Sequence, residues 1–497
     1  MRRAVLVVCV LSLSSATGLA AGMFVTPHGA RPLGRGGAFV AGADDLNAIY
    51  YNPAGVADIP FAATGWSGLL DGAFVLQNVT YTRDENGLLR PPVTADGGVL
   101  LGGPLLIPQA AFSRKMQRSW GSMSFGLGLW IPYTGLPRYP EPDYGTPGDP
   151  PEVIEEKLAR VPEVAPQRYA LIGLHDGNLA QSTLLAVLNP VGAISILRDK
   201  ILIGIGPQLM LAYFRTRIML SGCTGVMCRP EQPDYDTLVL AQAFALVPSA
   251  NLGLIGKPWP WLRLGLALQL PFAVRSLAGS VDARLPVNEL FNGAYIVGRS
   301  ASMAIDLPPV LRLGAELRPL QNDRLRIELA YTLEGWAMQQ EVTFTPHDIA
   351  IENIKAIGRY ELGPIALPRR MVNTHSIHLG LEWHAWKYLA ARAGGMFETS
   401  AMPDETVTVL TPDNHKGLVS IGLALPGVRL LRTEWRFDVS YGRIIQPDRT
   451  VAPLDSRIFP GNPLRPPQQM PAEIGGIGGG LYQVSYDLVA VGLSAVR

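Results

Sequence analysis

The sequence predicts an all-β fold: a transmembrane antiparallel β-barrel whose lumen is plugged by the chain's own N-terminal segment. Three features point to it. Apolar and polar residues alternate with a period of two over runs of about nine to eleven residues, the length a tilted strand needs to cross a bilayer. The apolar residue is most often Leu, which is not among the enriched strand formers but suits a wall facing lipid. A Gly-rich stretch that does not alternate precedes the first strand.

Composition agrees with a surface that meets lipid. The 497 residues carry 42 Lys+Arg against 41 Asp+Glu. With charge so balanced, no basic stripe suggests nucleic acid. Charged residues are 17% of the chain, below the usual quarter of a soluble protein, and mean hydropathy is +0.18.

Residues 1–20 read as a secretory signal peptide. Arg2 and Arg3 form a basic start, Ala4 to Leu13 an apolar run, and Gly18-Leu19-Ala20 a small-x-small cleavage site, with cleavage expected after Ala20. The apolar run is too short for a membrane anchor. Cys9 lies within it without a lipobox-like run and is not read as lipidated. No later stretch reaches the length of apolar chain a transmembrane helix needs.

Residues 21–62 form the expected plug, or hatch. "GARPLGRGGAFVAGADDLNAIYYNPAGVADIP" is rich in small residues and turns. Asn52-Pro53-Ala54 initiates a turn. Asp44 and Asp45 have two readings: they pair with lumen arginines such as Arg312, Arg324 or Arg436, or they favour the start of a short helix near Leu46.

Residues 63–497 carry the barrel. In "WLRLGLALQLPF" Leu262, Leu264, Leu266, Leu268, Leu270 and Phe272 form one face, against Arg263, Gly265, Ala267 and Gln269. "RLRIELAYTLE" sets Ile327, Leu329 and Tyr331 against Arg326, Glu328 and Thr332. "SIHLGLEWH" sets Ile377, Leu379, Leu381 and Trp383 against His378, Gly380, Glu382 and His384. The apolar face is assigned to lipid and the polar one to the lumen. Pro- and Gly-rich loops, Arg138 to Pro151 and Thr450 to Gly480, alternate with tight turns. Within one loop, Pro150 to Val161 has the spacing of a short amphipathic helix.

The two cysteines after the signal, Cys223 and Cys228, lie in the loop "SGCTGVMCRP". In an oxidising compartment a local disulfide is expected. His378 and His384 share a face, and a mixed polar network is expected there rather than a metal pair. No nucleophile elbow, zinc-helix motif or phosphate loop is present. "GWSGL" at Gly65 to Leu69 falls on the expected first strand. No cofactor is implied.

Here the chain resembles the FadL/TodX family of outer-membrane transporters. The Asn52-Pro53-Ala54 turn resembles that family's hatch turn. "LNPVGAISILRDKILIGIGPQLMLAYF" resembles its Asn-Pro strand start and Gly-punctuated hairpin. "LPPVLRLGAEL" with "RIELAYTLEGW" resembles its Pro-led strand pair ending in Trp336, and "HSIHLGLEW" with the following segment its late strands. The last strand departs from the usual pattern of such barrels, ending "VGLSAVR" with no aromatic at its close.

The resemblance implies about 14 strands, within the usual range, in the outer membrane of a Gram-negative bacterium. It also implies passive uptake of long-chain fatty acids or aromatic hydrocarbons, hatch gating, and a lateral exit into the membrane. The expected partners are those solutes, outer-membrane lipid and lipopolysaccharide, with the protein a monomer. Met23 and Phe24 are the hatch residues the resemblance sets against ligand. A Pro-fixed turn gives the hatch a defined shape with few internal contacts, so that it shifts at modest cost. Two other classes stand beside this one: a barrel hydrolase assembling Ser, His and acid from distant strands, and a structural or adhesive barrel.

Overall fold

The computed structural model describes residues 28–60, 64–85, 87–95, 105–131, 143–160, 171–172, 184–221, 235–320, 324–386, 389–409, 411–430, 433–458 and 476–497. The signal segment, Met23, Phe24, Cys223 and Cys228 lie outside these residues.

A closed antiparallel barrel of 14 strands forms the wall. The first strands are β1 (Thr64–Glu85), β2 (Leu105–Arg118), β3 (Gly121–Trp130), β4 (Leu184–Ile196), β5 (Ile201–Ser221) and β6 (Asp236–Trp259). Four strands then come in two pieces each. They are β7 (Leu262–Gln269, Phe272–Arg284), β8 (Ser300–Leu307, Val310–Leu317), β9 (Leu325–Glu334, Glu341–His347) and β10 (Ile365–Pro368, Thr374–Trp386). The circuit ends with β11 (Leu389–Glu398), β12 (Lys416–Leu430), β13 (Thr433–Ile445) and β14 (Gly480–Val496). It closes where β14 pairs with β1, from Ser67↔Val496 to Arg83↔Gly480. Closure pairs the first and last strands, so neither is left as a free edge in lipid.

The alternation in the sequence is the wall itself. On β10, Ile377, Leu379, Leu381 and Trp383 are exposed outward, while His378 and Glu382 are buried inward. The same holds for the Leu face of β7 against Arg263 and Gln269. Short turns such as Pro260-Trp261 mark the periplasmic end, and longer connections the outer end. Both Thr64 and Val496 lie at the short-turn end.

One face assignment is corrected. Phe272 does not continue the lipid face of β7; it is 2% exposed and points inward with Val274 and Leu277. Leu270-Pro271 separates the two pieces of the strand, because Pro has no N–H for the ladder and fixes its own φ. The break inverts the pleat, so the outer piece carries its apolar face into the lumen.

Across the same break the seam between β6 and β7 loosens. Pairing runs from Leu262↔Trp259 to Gln269↔Asn251 and resumes only at Ala278↔Phe244. Between them Leu270 N donates to Ala250 O at 2.9 Å and Ser249 Oγ to Leu270 O at 2.9 Å. Ala245–Ser249 and Pro271–Leu277 form no ladder pairs with each other.

The hatch fills the periplasmic half of the lumen with α1 (Ala30–Gly34), α2 (Ala48–Tyr51) and a 3-10 helix, Pro53–Asp58. Outside the lumen, α3 (Pro151–Leu158) forms within the segment predicted to be helical. Its Ile154 and Leu158 pack with Tyr144, Met219 and Leu238. No helix among the described residues is long and apolar enough to cross a membrane.

Candidate functional site: hatch, lumen and outer vestibule

Two hatch arginines enter the site from α1 and its C-cap. Arg31 lies between Glu382 (2.8 Å), Asp44 (2.7 Å) and Asp45 (3.1 Å). Arg35 meets Glu316 at 3.0 Å and Glu328 at 2.8 Å, all three side chains fully buried. Glu328 also accepts three successive backbone N–H groups of the hatch: Val40 (2.6 Å) and Ala41 (2.7 Å) on one oxygen, Gly42 (3.1 Å) on the other. A carboxylate so engaged is among the stronger side-chain anchors, because each bond is charge-assisted.

Of the two readings of Asp44 and Asp45, the ion pairs are the ones that form. Asp44 contacts Arg326 at 2.6 Å, and Asp45 contacts Arg436 at 2.7 Å. Burial pushes the Asp44 carboxyl up, but Arg31, Arg326 and Arg263 outweigh it and hold the group well below the usual range. Asp45 also accepts from Asn47 N (2.9 Å) and Asn47 Nδ2 (3.0 Å), closing a local turn just before α2 rather than capping it. Of the arginines expected as partners, Arg436 takes that place. Arg324 sits exposed in a turn, its neighbour Arg326 reaching Asp44 instead, and Arg312 lies over the Tyr50 ring at 4.7 Å.

The Asn52 turn is fixed by its own side chain. Oδ1 accepts from Ala54 N (3.2 Å), while Nδ2 donates to Val40 O (2.9 Å) and to Leu254 O of β6 (3.2 Å). Asp58, at the end of the 3-10 helix, pairs with Lys257 and with Arg263. The hatch is therefore held chiefly by its contacts with the wall, and shifting it means exchanging several buried ion pairs.

Glycines let the two backbones approach this closely. A Cβ on Gly204 would stand 2.3 Å from Pro53 C, and one on Gly253 2.1 Å from Asn52 Oδ1. Farther round, a Cβ on Gly394 would stand 2.1 Å from Gly36 N. The strand glycines in the alternating runs are thus the bed of the hatch.

From the hatch outward the lumen is packed with apolar side chains. Phe39, Tyr50, Trp130, Phe272, Trp336 and Met402 belong to one contiguous buried cluster. Phe344 and Leu367 pack against that cluster and also line a vestibule at the outer end. The vestibule holds about 970 Å³ of empty space, its open mouth included. Its walls include Val239, Ala241, Ala283 and Ala301, and its roof Ile296, Ile351 and Leu362. The roof is built on a three-stranded sheet of Tyr295–Val297, Ala350–Ile354 and Gly358–Glu361.

His378 and His384 do not converge on a common ligand. His378 hydrogen-bonds with Gly36 O (2.8 Å) and Ser376 Oγ (3.0 Å), whereas His384 bonds with Glu382 at 2.9 Å. Among the described residues no group of three His, Cys, Asp or Glu side chains could hold a metal ion. Sequence reasoning placed Glu328 and Glu382 on inward faces but missed Arg31 and Arg35. Two arginines in a stretch without alternation are a signal, since buried carboxylates in a lumen require cations.

A closed outer-membrane barrel with a plug and an apolar lumen above it defines a channel of the hydrophobic-solute class. The family described as "Outer membrane protein transport protein (OMPP1/FadL/TodX)" matches residues 172–468, and the chain belongs to that family. It is an outer-membrane protein of the Gram-negative type. Solved structures share its fold. A Pseudomonas aeruginosa FadL homologue is 16% identical, with a TM-score of 0.65, over 96% of this chain and 99% of that one. The Pseudomonas putida toluene transporter TodX is 14% identical, with a TM-score of 0.57, over 96% and 100%. The Ralstonia pickettii toluene transporter TbuX is 14% identical, with a TM-score of 0.54, over 94% and 97%. No curated protein matches the sequence.

Proposed function

We propose that this protein carries hydrophobic small molecules passively across the outer membrane, with the vestibule as its point of capture and the hatch as its gate. One observation carries the reading: side chains of the outer vestibule pack continuously into the apolar cluster that runs down onto Phe39, Tyr50 and Tyr51 of the hatch itself. A solute gains about 0.8 kcal/mol per CH₂ transferred from water into such a lining. That gain draws it past the polar outer leaflet without an energy source. The relatives of known structure that are named as toluene transporters, and the family resemblance to fatty-acid channels, support aromatic hydrocarbons or long-chain fatty acids as the solutes.

Exit is proposed to be lateral, through the β6–β7 seam. The missing ladder pairs between Ala245–Ser249 and Pro271–Leu277 make it the weakest stretch of that wall. Outward Leu246, Leu252 and Leu270 flank it with surface suited to lipid. The barrel acts as a monomer, its Leu face in the membrane and its outer loops among lipopolysaccharide.

Filling the vestibule tests the capture step. Ala283→Trp places an indole in the cavity far from the hatch, and uptake of radiolabelled oleate or toluene by cells is expected to fall to a small fraction. The heat-modifiable barrel on a gel should persist. Full uptake by a correctly folded Ala283→Trp protein would remove the vestibule from the path.

A further inference from the structure

Prolines interrupt four neighbouring strands at one level of the wall: Pro190 of β4, Pro207 of β5, Pro248 of β6 and Pro271 of β7. Each withholds an N–H from the ladder. Pairing of β4 with β5 skips from Leu188↔Leu209 to Gly192↔Ile205, and the β6–β7 seam begins just outward of Gln269↔Asn251.

Four buried amides face the lumen there: Asn189, Gln208, Asn251 and Gln269. They bond to one another where backbone pairs are missing. Gln208 and Gln269 form a reciprocal pair that spans β6. Gln208 Nε2 donates to Gln269 Oε1 (2.9 Å), and Gln269 Nε2 donates to Gln208 Oε1 (2.5 Å). Gln269 Nε2 also donates to Leu270 O (2.8 Å), at the foot of the seam. Asn189 Oδ1 accepts from Gln208 Nε2 (3.2 Å) and Asn251 Nδ2 (3.2 Å), while Asn189 Nδ2 donates to Pro207 O (3.1 Å). Gly206 lets these amides meet, since a Cβ on it would stand 2.2 Å from Asn251 Oδ1 and 2.5 Å from Asn189 Nδ2.

The network reaches the hatch. Asn251 Nδ2 donates to Ile49 O of α2 at 2.8 Å. That carbonyl is open to the wall because the residue four positions on, which would supply its helical donor, is Pro53.

We infer that the Gln208–Gln269 pair is the latch of the β6–β7 seam and that Asn251 and Asn189 tie it to Ile49, so the hatch opens the exit by releasing this network. The inference rests on the hatch as gate and the seam as exit, and it names the residues that join them. The seam lies outward of the latch, and Val247, Phe272, Val274 and Leu277 beside it belong to the apolar cluster of the lumen. A solute in that cluster needs the latch released, not the hatch moved out of its way. Loss of the Ile49 bond frees Asn251, withdraws a partner from Asn189 and weakens the hold of Gln208 on Gln269, because hydrogen bonds in a buried chain support one another.

The test removes the latch from a protein whose hatch cannot move. Ile49→Cys with Gly128→Cys ties α2 to β3 and leaves the carbonyl of residue 49 in place, a Cβ on Gly128 lying 3.5 Å from that of Ile49. Uptake of radiolabelled oleate by cells is measured with the cross-link intact and after mild reduction. The tethered parent should lose nearly all uptake when oxidised. Adding Gln208→Leu with Gln269→Leu should abolish that loss. Adding Asn251→Ala instead, which spares the glutamine pair and cuts its tie to Ile49, should lessen it. Entry of a water-soluble β-lactam, which a generally loosened barrel would admit, should stay at the parent level, and heat-modifiability shows that each barrel has formed. Undiminished loss of uptake in both latch variants would overturn the latch while the hatch remains the gate. Oleate uptake that ignores the tether but brings β-lactam entry with it would mark a general leak and overturn the latch as well. Oleate uptake by the reduced parent no greater than that of cells without the protein would overturn the uptake reading itself.

Discussion

Glu328→Ala is expected to release the hatch while leaving the barrel standing. The carboxylate is fully buried and serves Arg35 and the backbone N–H groups of Val40, Ala41 and Gly42 together. Its removal leaves three hatch donors without an acceptor, at about 1–3 kcal/mol each where water cannot replace it. Removing one partner of a buried ion pair costs roughly 3–5 kcal/mol. Arg35 keeps Glu316 at 3.0 Å, which moderates the loss. The wall is spared, because β9 is joined to β8 and β10 by its backbone. Limited proteolysis from the periplasmic side should therefore cut the hatch of Glu328→Ala far faster than that of wild type, with the barrel still heat-modifiable. Glu328→Gln, which retains an acceptor and loses the charge, should fall between them. Equal protection of the hatch in all three proteins would show that Glu328 does not hold it.

Gly253→Val is expected to evict the Asn52 turn. A Cβ there would meet Asn52 Oδ1 at 2.1 Å and Ala54 N at 2.8 Å, so the turn must move. With it go the Asn52 bonds to Val40 O and Leu254 O, and the cap on Ala54 N. Intrinsic preference predicts the opposite sign, since Val favours a strand and Gly weakens one. The neighbouring Gly256 separates the two effects. Nothing lies within 4 Å of a Cβ at that position, so Gly256→Val tests strand preference alone. Protease sensitivity of the hatch should rise sharply in Gly253→Val and remain at wild-type level in Gly256→Val. Similar behaviour of the two would mean that the glycine bed is incidental.

Much of this architecture is written in local pattern, and the parts that are not share a physical reason. The alternation of His378, Gly380 and Glu382 with Ile377, Leu379 and Leu381 sets both faces of β10, because lipid and lumen impose opposite demands on successive residues. Extending the same reading through Leu270-Pro271 to Phe272 fails, since a single residue without an N–H inverts the pleat. The hatch is recognisable as a region lacking alternation. Its anchors are not, because the Arg31–Glu382 and Arg35–Glu328 pairs join positions roughly 300 residues apart that share no periodicity. The Asn52 turn is legible as a turn, yet its purpose depends on Gly204 and Gly253 facing it across the lumen. The vestibule roof comes from two separate loops whose apolar residues, Ile296 and Ile351 among them, follow no strand or helix period along the chain.

Gating by the hatch is tested most directly by tethering it. A Cβ on Gly128 of β3 would lie 3.5 Å from Ile49 Cβ, at the short edge of the roughly 3.5–4.5 Å that a disulfide requires. Ile49→Cys combined with Gly128→Cys should therefore form a cross-link between α2 and the wall in the oxidising periplasm. The measurement is uptake of a radiolabelled long-chain fatty acid by cells carrying this protein, before and after mild reduction, with the parent chain treated alike to account for Cys223 and Cys228. Oxidised cells should show almost no uptake above cells without the protein, and reduction should restore it. Uptake at the parent rate while the cross-link is intact would contradict the hatch as the gate.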